Sequence, residues 1–290
     1  MKIDLPALLM GVVFSFMWSS AFATARVIVA DAPPLTALAL RFLISGLIAV
    51  GIARALGQSW QLTRAQWQAT AIFGVCQNGL YLGLNFTALQ WVEASIASVI
   101  ASTMPLLVAA GGWAFMGHKL RPLGIAGLIA GFIGVTLILA ERISGGSLAL
   151  GILLCFLGTL GATVATLSVR SAASGGNLLM IVGLQMLLGA ALLGVAAMLV
   201  DSRQINLTLP LGLAFAYQIA VPGLAATLLW FTLVRRIGAV RAATFHFLNP
   251  FFGVAVAAAL LGEQIRLLDL AGVAIVMAGI LMVQLSRQPD

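Results

Sequence analysis

The chain has 290 residues, of which 62% are hydrophobic and 8% charged, with a formal net charge of +7. A soluble domain carries about 25% charged residues, so a water-facing globule is excluded and a polytopic membrane protein is expected. The basic residues are scattered through short loops, which excludes a nucleic-acid patch and fits the loop charge that orients helices in a bilayer.

A membrane-crossing helix needs about 20 mainly apolar residues. Reading between charges, prolines and glycines predicts ten: 5–28, 34–54, 66–88, 93–115, 122–140, 148–170, 178–200, 209–234, 240–261 and 267–285. The first follows Lys2 and carries Trp18. Its "AFA" at 21–23 has the small-residue look of a signal cleavage site, but the apolar run continues to Ala30, so a retained helix is expected. The second carries Arg41, about 10 Å below its outer end at 1.5 Å per residue. Arg41 either snorkels to the outer headgroups or serves as the cationic pole for a substrate carboxylate.

On the third span Asn78, Tyr81 and Asn85 fall at i, i+3 and i+7, one face of a helix, beside Phe86. The fourth contains Pro105. The fifth carries Gly127, Gly131 and Gly134 for close helix packing. Cys155 in the sixth and Cys76 in the third are read as small packing residues. Gln185 lies in the seventh, at the depth of Arg41. Tyr217 and Gln218 lie early in the eighth and Trp230 late. The ninth reads "FHFLNPFFG" around His246, Asn249 and Pro250, and the tenth carries Gly272 and Gly279. Trp60, Trp67 and Trp91 sit near span ends, where tryptophan anchors the interface.

With the N-terminus in the cytoplasm, ten Lys and Arg face that side and four face the other, so both termini are expected inside. A shift of 145 residues superposes Pro105 on Pro250, Gly117 on Gly262, Arg121 on Arg266, Gly127 on Gly272 and Gly134 on Gly279. The chain therefore reads as two repeats, 1–145 and 146–290. Each has five spans, an odd number, so the second enters from the opposite side. The loop after the fourth span, "GHKLR", has "GEQIR" as its counterpart, as a flipped copy requires. The predicted fold is all-α: ten transmembrane helices as two inverted five-helix repeats around a central cavity, with substrate near the midplane.

Ten spans in two halves, with "P-x(11)-G" closing the fourth and a glycine-rich fifth, resemble the drug/metabolite transporter (DMT) superfamily with its EamA-type repeats. The resemblance covers nearly the whole chain. "ASTMPLLVAAGGWAFMGHKLRPLGIAGLIAGFIGVTLI" is close to the family pattern, although the usual glutamate after the glycine is His118 here, while Glu263 keeps it in the second half. The resemblance implies a transporter of a small-molecule substrate, an amino acid or metabolite, in a bacterial inner membrane. Within the superfamily, aromatic amino acid exporters of the YddG type are the nearer likeness. Lipid-linked sugar flippases and multidrug or metabolite exporters share the fold and are the alternative.

The prolines set the expected geometry. Pro250 has no N–H for the carbonyl of His246, and Pro105 none for that of Ala101. Spans 4 and 9 should bend there, as hinges, and a freed carbonyl must face protein or a wet cavity. The candidate substrate-binding residues are Trp18, Arg41, Asn78, Tyr81, Asn85, Gln185, Trp230, His246 and Asn249. Each amide has a rival role as a bridge between helices, at about 0.6 kcal/mol, and His246 has one as a neutral ring bonded to a backbone carbonyl. All eight acidic residues lie at span ends, loops or termini, and only His246 offers an intramembrane proton site. Uncoupled transport by alternating access is expected. There is no HExxH, no intramembrane aspartate pair and no Ser-His dyad, so no enzyme, catalytic residue, metal site or cofactor is expected. Ten spans can enclose a path within one chain, so a monomer suffices.

Overall fold

The computed structural model describes residues 4–117, 121–140, 146–168, 177–201 and 204–286. The ten expected spans form helices α1 (Leu5–Asp31), α2 (Pro34–Ala55), α3 (64–88), α4 (94–116), α5 (Pro122–Ala140), α6 (Gly146–Ser168), α7 (Leu178–Val200), α8 (209–237), α9 (239–261) and α10 (Leu267–Ser286). Among the described residues nine are long and apolar enough to cross a membrane. The exception is α3, which opens with Arg64, Gln66 and Gln68 and also carries Asn78 and Asn85. The protein is an integral membrane protein. Trp60, Trp67 and Trp91 are all exposed, as interface anchors should be. His118 and Lys119 lie outside the described residues.

Four helices are interrupted, and the interruptions recur between the repeats. A π-helical stretch occupies Gly74–Leu82 of α3 and another Ile219–Ala225 of α8, where Ile219 follows Gly74 by the same 145 residues. α4 breaks at Thr103, between Ala94–Ser102 and Met104–Met116. α9 breaks through a 3₁₀ turn, Phe245–Leu248, ahead of Asn249–Leu261. Both broken helices end on a left-handed glycine, Gly117 (φ 68°) and Gly262 (φ 69°), a position that a side chain would strain.

The chain folds as two compact units, and neither is a sequence half. One comprises Met1–Ala23, Trp91–Ile152 and Ala225–Asp290; the other comprises Thr24–Gln90 and Leu153–Leu224. In the first, α5 and α10 meet along a glycine seam. A Cβ on Gly127 would lie 2.7 Å from the Gly279 carbonyl oxygen, and one on Gly134 would lie 2.8 Å from that of Gly272. Nothing larger than glycine permits this backbone approach. Numbers rise along α5 as they fall along α10, so the helices run antiparallel. α4 and α9 do the same: Ser98 packs on Gly253, and the Glu263 carboxylate accepts from the Ala94 (2.7 Å) and Ser95 (3.1 Å) backbone N–H groups. That carboxylate caps the start of α4, satisfying donors a helix N-terminus leaves open. Val99, Leu106, Ile138, Val254, Val276 and Ile280 fill the core between these four helices.

In the second unit α2 and α7 are the antiparallel pair, with Gly46 against Leu187 and Gly183 against Val50, over a core of Ala49, Ala53, Leu179 and Met180. Each of the three pairs joins a helix to its own equivalent in the other repeat. Equivalent helices that run antiparallel are the signature of an inverted repeat.

Candidate functional site

The predicted site residues fall into two sets, one in each unit. In the first unit they gather where α9 breaks. Pro250 cannot donate to the His246 carbonyl. The Asn249 N–H does so instead, in the shorter 3₁₀ register. That shift leaves the Phe245 carbonyl without its helical donor, and Ser15 Oγ of α1 donates to it at 2.8 Å. One turn further along α1, Ser19 Oγ donates to the Asn249 carbonyl at 3.2 Å. From α10, Gln284 Nε2 donates to the Ala243 carbonyl at 3.3 Å. The expected loss at Pro250 is real, but the orphaned carbonyl is one residue earlier than sequence reasoning placed it, and the Ser15 hydroxyl satisfies it.

The same break presents an aromatic cluster. Trp230 and His246 stand edge to face with ring centroids 5.0 Å apart, and Phe14 touches both, at 4.8 Å and 5.5 Å. Trp18 joins through Phe14 at 5.8 Å. Phe14 is fully buried, while Trp18, Trp230 and His246 are half-buried. His246 Nδ1 lies 3.2 Å from the Ala243 carbonyl. A carbonyl only accepts, so Nδ1 carries a proton and donates to it. The buried Asn249 side chain has an Oδ1 without a partner. Phe14, Ser15 and Ser19 were not singled out from sequence. Their signal was there, in polar and aromatic residues repeating by four along an otherwise apolar helix.

Pro105 sits likewise at the second position of the helix that follows the α4 break, where no N–H is needed. Here the closing groups belong to α4 itself. Thr103 N–H donates to the Ile100 carbonyl at 3.0 Å, Thr103 Oγ1 donates to the same oxygen at 2.6 Å, and Ser102 Oγ donates to the Ser98 carbonyl at 2.6 Å. Both prolines are buried.

In the second unit Asn78, Tyr81 and Asn85 are buried, but they do not share one face. Asn78 packs on Gly189 of α7 and its Nδ2 donates to the Gln185 carbonyl at 2.9 Å. Asn85 packs on Gly158 of α6, and its Nδ2 donates to the Tyr81 carbonyl at 2.8 Å. The expectation of one face assumed α-helical spacing. Residues 74–82 are π-helical, which puts more residues in each turn and rotates Asn78 away from Asn85. The amide of Asn78 thus ties two helices together. Gln185 contributes its backbone, and its side chain is half-buried. Gln218 donates to Thr24 Oγ1 at 2.8 Å.

Arg41 is 5% exposed. A snorkelling arginine keeps its charged head at the surface, so that reading is discarded. Its guanidinium stands over the ring of its neighbour Phe42 at 5.3 Å, and Nε has no hydrogen-bond partner. An apolar groove of about 570 Å³ along α5, lined by Leu128, Phe132, Ile133 and Thr136, holds none of the predicted site residues.

The EamA-like transporter family matches the sequence twice, over residues 5–140 and 149–285. The chain belongs to that family. The two matches are the two repeats, and they make the protein a transporter rather than an enzyme. A Bacillus subtilis protein described as the uncharacterized transporter YvbV is 25% identical over 268 residues, covering 92% of this chain and 88% of its own. An Escherichia coli protein described as the uncharacterized inner membrane transporter YedA is 24% identical, over 96% of this chain and 91% of its own. The aromatic amino acid exporter YddG of Ancylobacter novellus is 31% identical over 141 residues, 48% of each chain. A protein of solved crystal structure matches with a TM-score of 0.70 over 98% of both chains at 20% identity, a likeness of fold. A member of this family carries a small-molecule substrate across a membrane.

Proposed function

We propose that the protein exports aromatic and other apolar amino acids across a bacterial inner membrane, with both termini in the cytoplasm, by alternating access without proton coupling. The carrying observation is the aromatic cluster of Phe14, Trp18, Trp230 and His246 at the broken turn of α9. Offset and edge-to-face ring contacts add about 0.5–1.5 kcal/mol to burial, so such a wall favours an aromatic solute. The name of the Ancylobacter novellus relative supports the same solute class for half of the chain, and that of the Escherichia coli relative supports the inner membrane. The breaks at Thr103 and at 245–248 are the places where spans bend as access alternates. Proton coupling needs an ionisable group within the membrane. The described carboxylates sit at helix ends, where Asp31, Asp201, Glu263 and Asp269 each accept hydrogen bonds, and Nδ1 of His246 is engaged by the Ala243 carbonyl.

The test is counterflow of labelled phenylalanine, tryptophan, threonine and methionine in proteoliposomes. Flux of several apolar amino acids, unchanged by an imposed pH gradient, is expected. Lipid scrambling without amino acid flux would replace the proposal with a flippase. Accumulation driven by a proton gradient and abolished by His246→Ala would remove the uncoupled mechanism.

A further inference from the structure

Among the described residues Arg41 is the one buried charge with neither a hydrogen bond nor a counter-charge. It lies in α2, seven residues past Pro34, and an arginine stays protonated even where burial is costly. Removing an ion from water is costly even after relaxation, and a buried charge is ordinarily paired. The described carboxylates of its unit are committed elsewhere. Asp31 accepts from Thr208 Oγ1 at 2.6 Å, and Asp201 accepts from the backbone N–H and hydroxyl of Thr36 at 2.7 Å and 2.8 Å. No described carboxylate forms an ion pair with Arg41. One turn along the same face of α2, Ser45 is fully buried and its Oγ also has no partner. A second donor therefore stands beside the first, facing the π-helical stretch of α8 at Gly223.

We infer that Arg41 binds the carboxylate of the transported solute, with the Ser45 hydroxyl as a second donor. This rests on the amino acid export reading and deepens it, because it names the group by which the solute is recognised. The planar guanidinium offers two parallel N–H groups to a carboxylate, an arrangement about twice as strong as a neutral hydrogen bond. The solute supplies the counter-charge that the chain withholds, so only a carboxylate-bearing solute neutralises the site. An intramembrane charge without a protein counter-charge is where a substrate path is expected.

The experiment is phenylalanine counterflow in liposomes containing the full chain, with unlabelled phenylalanine, phenylalaninamide and phenethylamine as competitors. Phenylalanine should compete at least about tenfold better than either compound without a carboxylate. Arg41→Gln should lower phenylalanine counterflow at least about tenfold, with Arg41→Lys retaining part of it because one point charge replaces the fork. Size-exclusion profiles and melting of each variant establish folding, and the competitor series on the unmodified protein gives the answer even where a variant does not fold. Equal competition by the amide, or full phenylalanine flux in folded Arg41→Gln, overturns the inference and leaves export standing. Absence of amino acid flux from the unmodified protein overturns the export reading itself, and this inference with it.

Discussion

In α4 the turn before Pro105 is closed from within, by the Thr103 and Ser102 hydroxyls on carbonyls three and four residues back. In α9 the equivalent turn before Pro250 is closed from outside, by Ser15 and Ser19 of α1 and Gln284 of α10. The two helices are equivalents in the two repeats, carry proline at the same register and break at the same place along the helix. They differ in where the displaced hydrogen bonds go. A break satisfied by its own helix does not depend on where its neighbours stand. A break satisfied by neighbours ties the geometry of α9 to the positions of α1 and α10. The Trp230–His246 pair lies on the second kind of break, so a movement of α1 changes the aromatic wall directly.

The largest expected effect comes where the two helices touch. A Cβ on Gly253 would lie 1.9 Å from Ser98 Oγ and 2.5 Å from Ser98 Cβ. Gly253→Val should destabilise the protein by about 3 kcal/mol, the upper end of ordinary overpacking. Adding Ser98→Gly should recover more than half of that, because the residues share one contact and their effects are not additive. Thermal unfolding in detergent reads both numbers. A Gly253→Val protein that melts like the wild type would mean that α4 and α9 are not packed on each other, and the comparison would lose its basis.

The second test addresses the difference itself. Ser15→Ala with Ser19→Ala leaves the Phe245 carbonyl of α9 without a donor, at a cost of about 1–3 kcal/mol. Ser102→Ala with Thr103→Val removes bonds that a helix makes to itself and should cost under about 1 kcal/mol. Phenylalanine counterflow should fall in the first pair and stay near normal in the second. Equal losses would show that the source of the closing hydroxyl does not matter.

How far the sequence carried this reading depends on what kind of signal each feature leaves. The spans were legible because hydropathy needs no tertiary context. The repeat was legible because Pro105, Pro250 and the paired glycines sit where no other residue does the same work. The break in α9 was legible at Pro250, but its closure was not, since Ser15 is 230 positions from Phe245 and only packing joins them. The face of Asn78, Tyr81 and Asn85 was misread for a local reason. A π-helical stretch has no compositional mark, and the usual 3.6-residue period was applied where it fails. Gly158 and Gly189, which receive two of those side chains, look in sequence like any other membrane glycine. For Arg41 the sequence left two readings, and burial removes the snorkelling one.

The smallest effect belongs to the tether at the start of α1. The Asp4 carboxylate accepts from Arg236 Nε at 2.8 Å and from its Nη2 at 3.1 Å, with both side chains well exposed. The hydrogen bond from Arg236 holds the Asp4 carboxyl below its usual value, helped by the Ala7 N–H. A lowered acid pKa means that the tether contributes once pH is above the ordinary aspartate value of about 3.9, and that the contribution disappears as pH falls through the lowered value. Arg236→Gln should therefore melt slightly below the wild type at pH 6 in low salt, and the gap should narrow progressively as pH falls below about 3.9. It should also close at 1 M salt, where the screening length is about 3 Å. Because α1 carries Ser15 and Ser19 to α9, Arg236→Gln should cost less in a protein that already lacks both serines. Strict additivity would show that the tether holds the end of α1 without setting its register on α9.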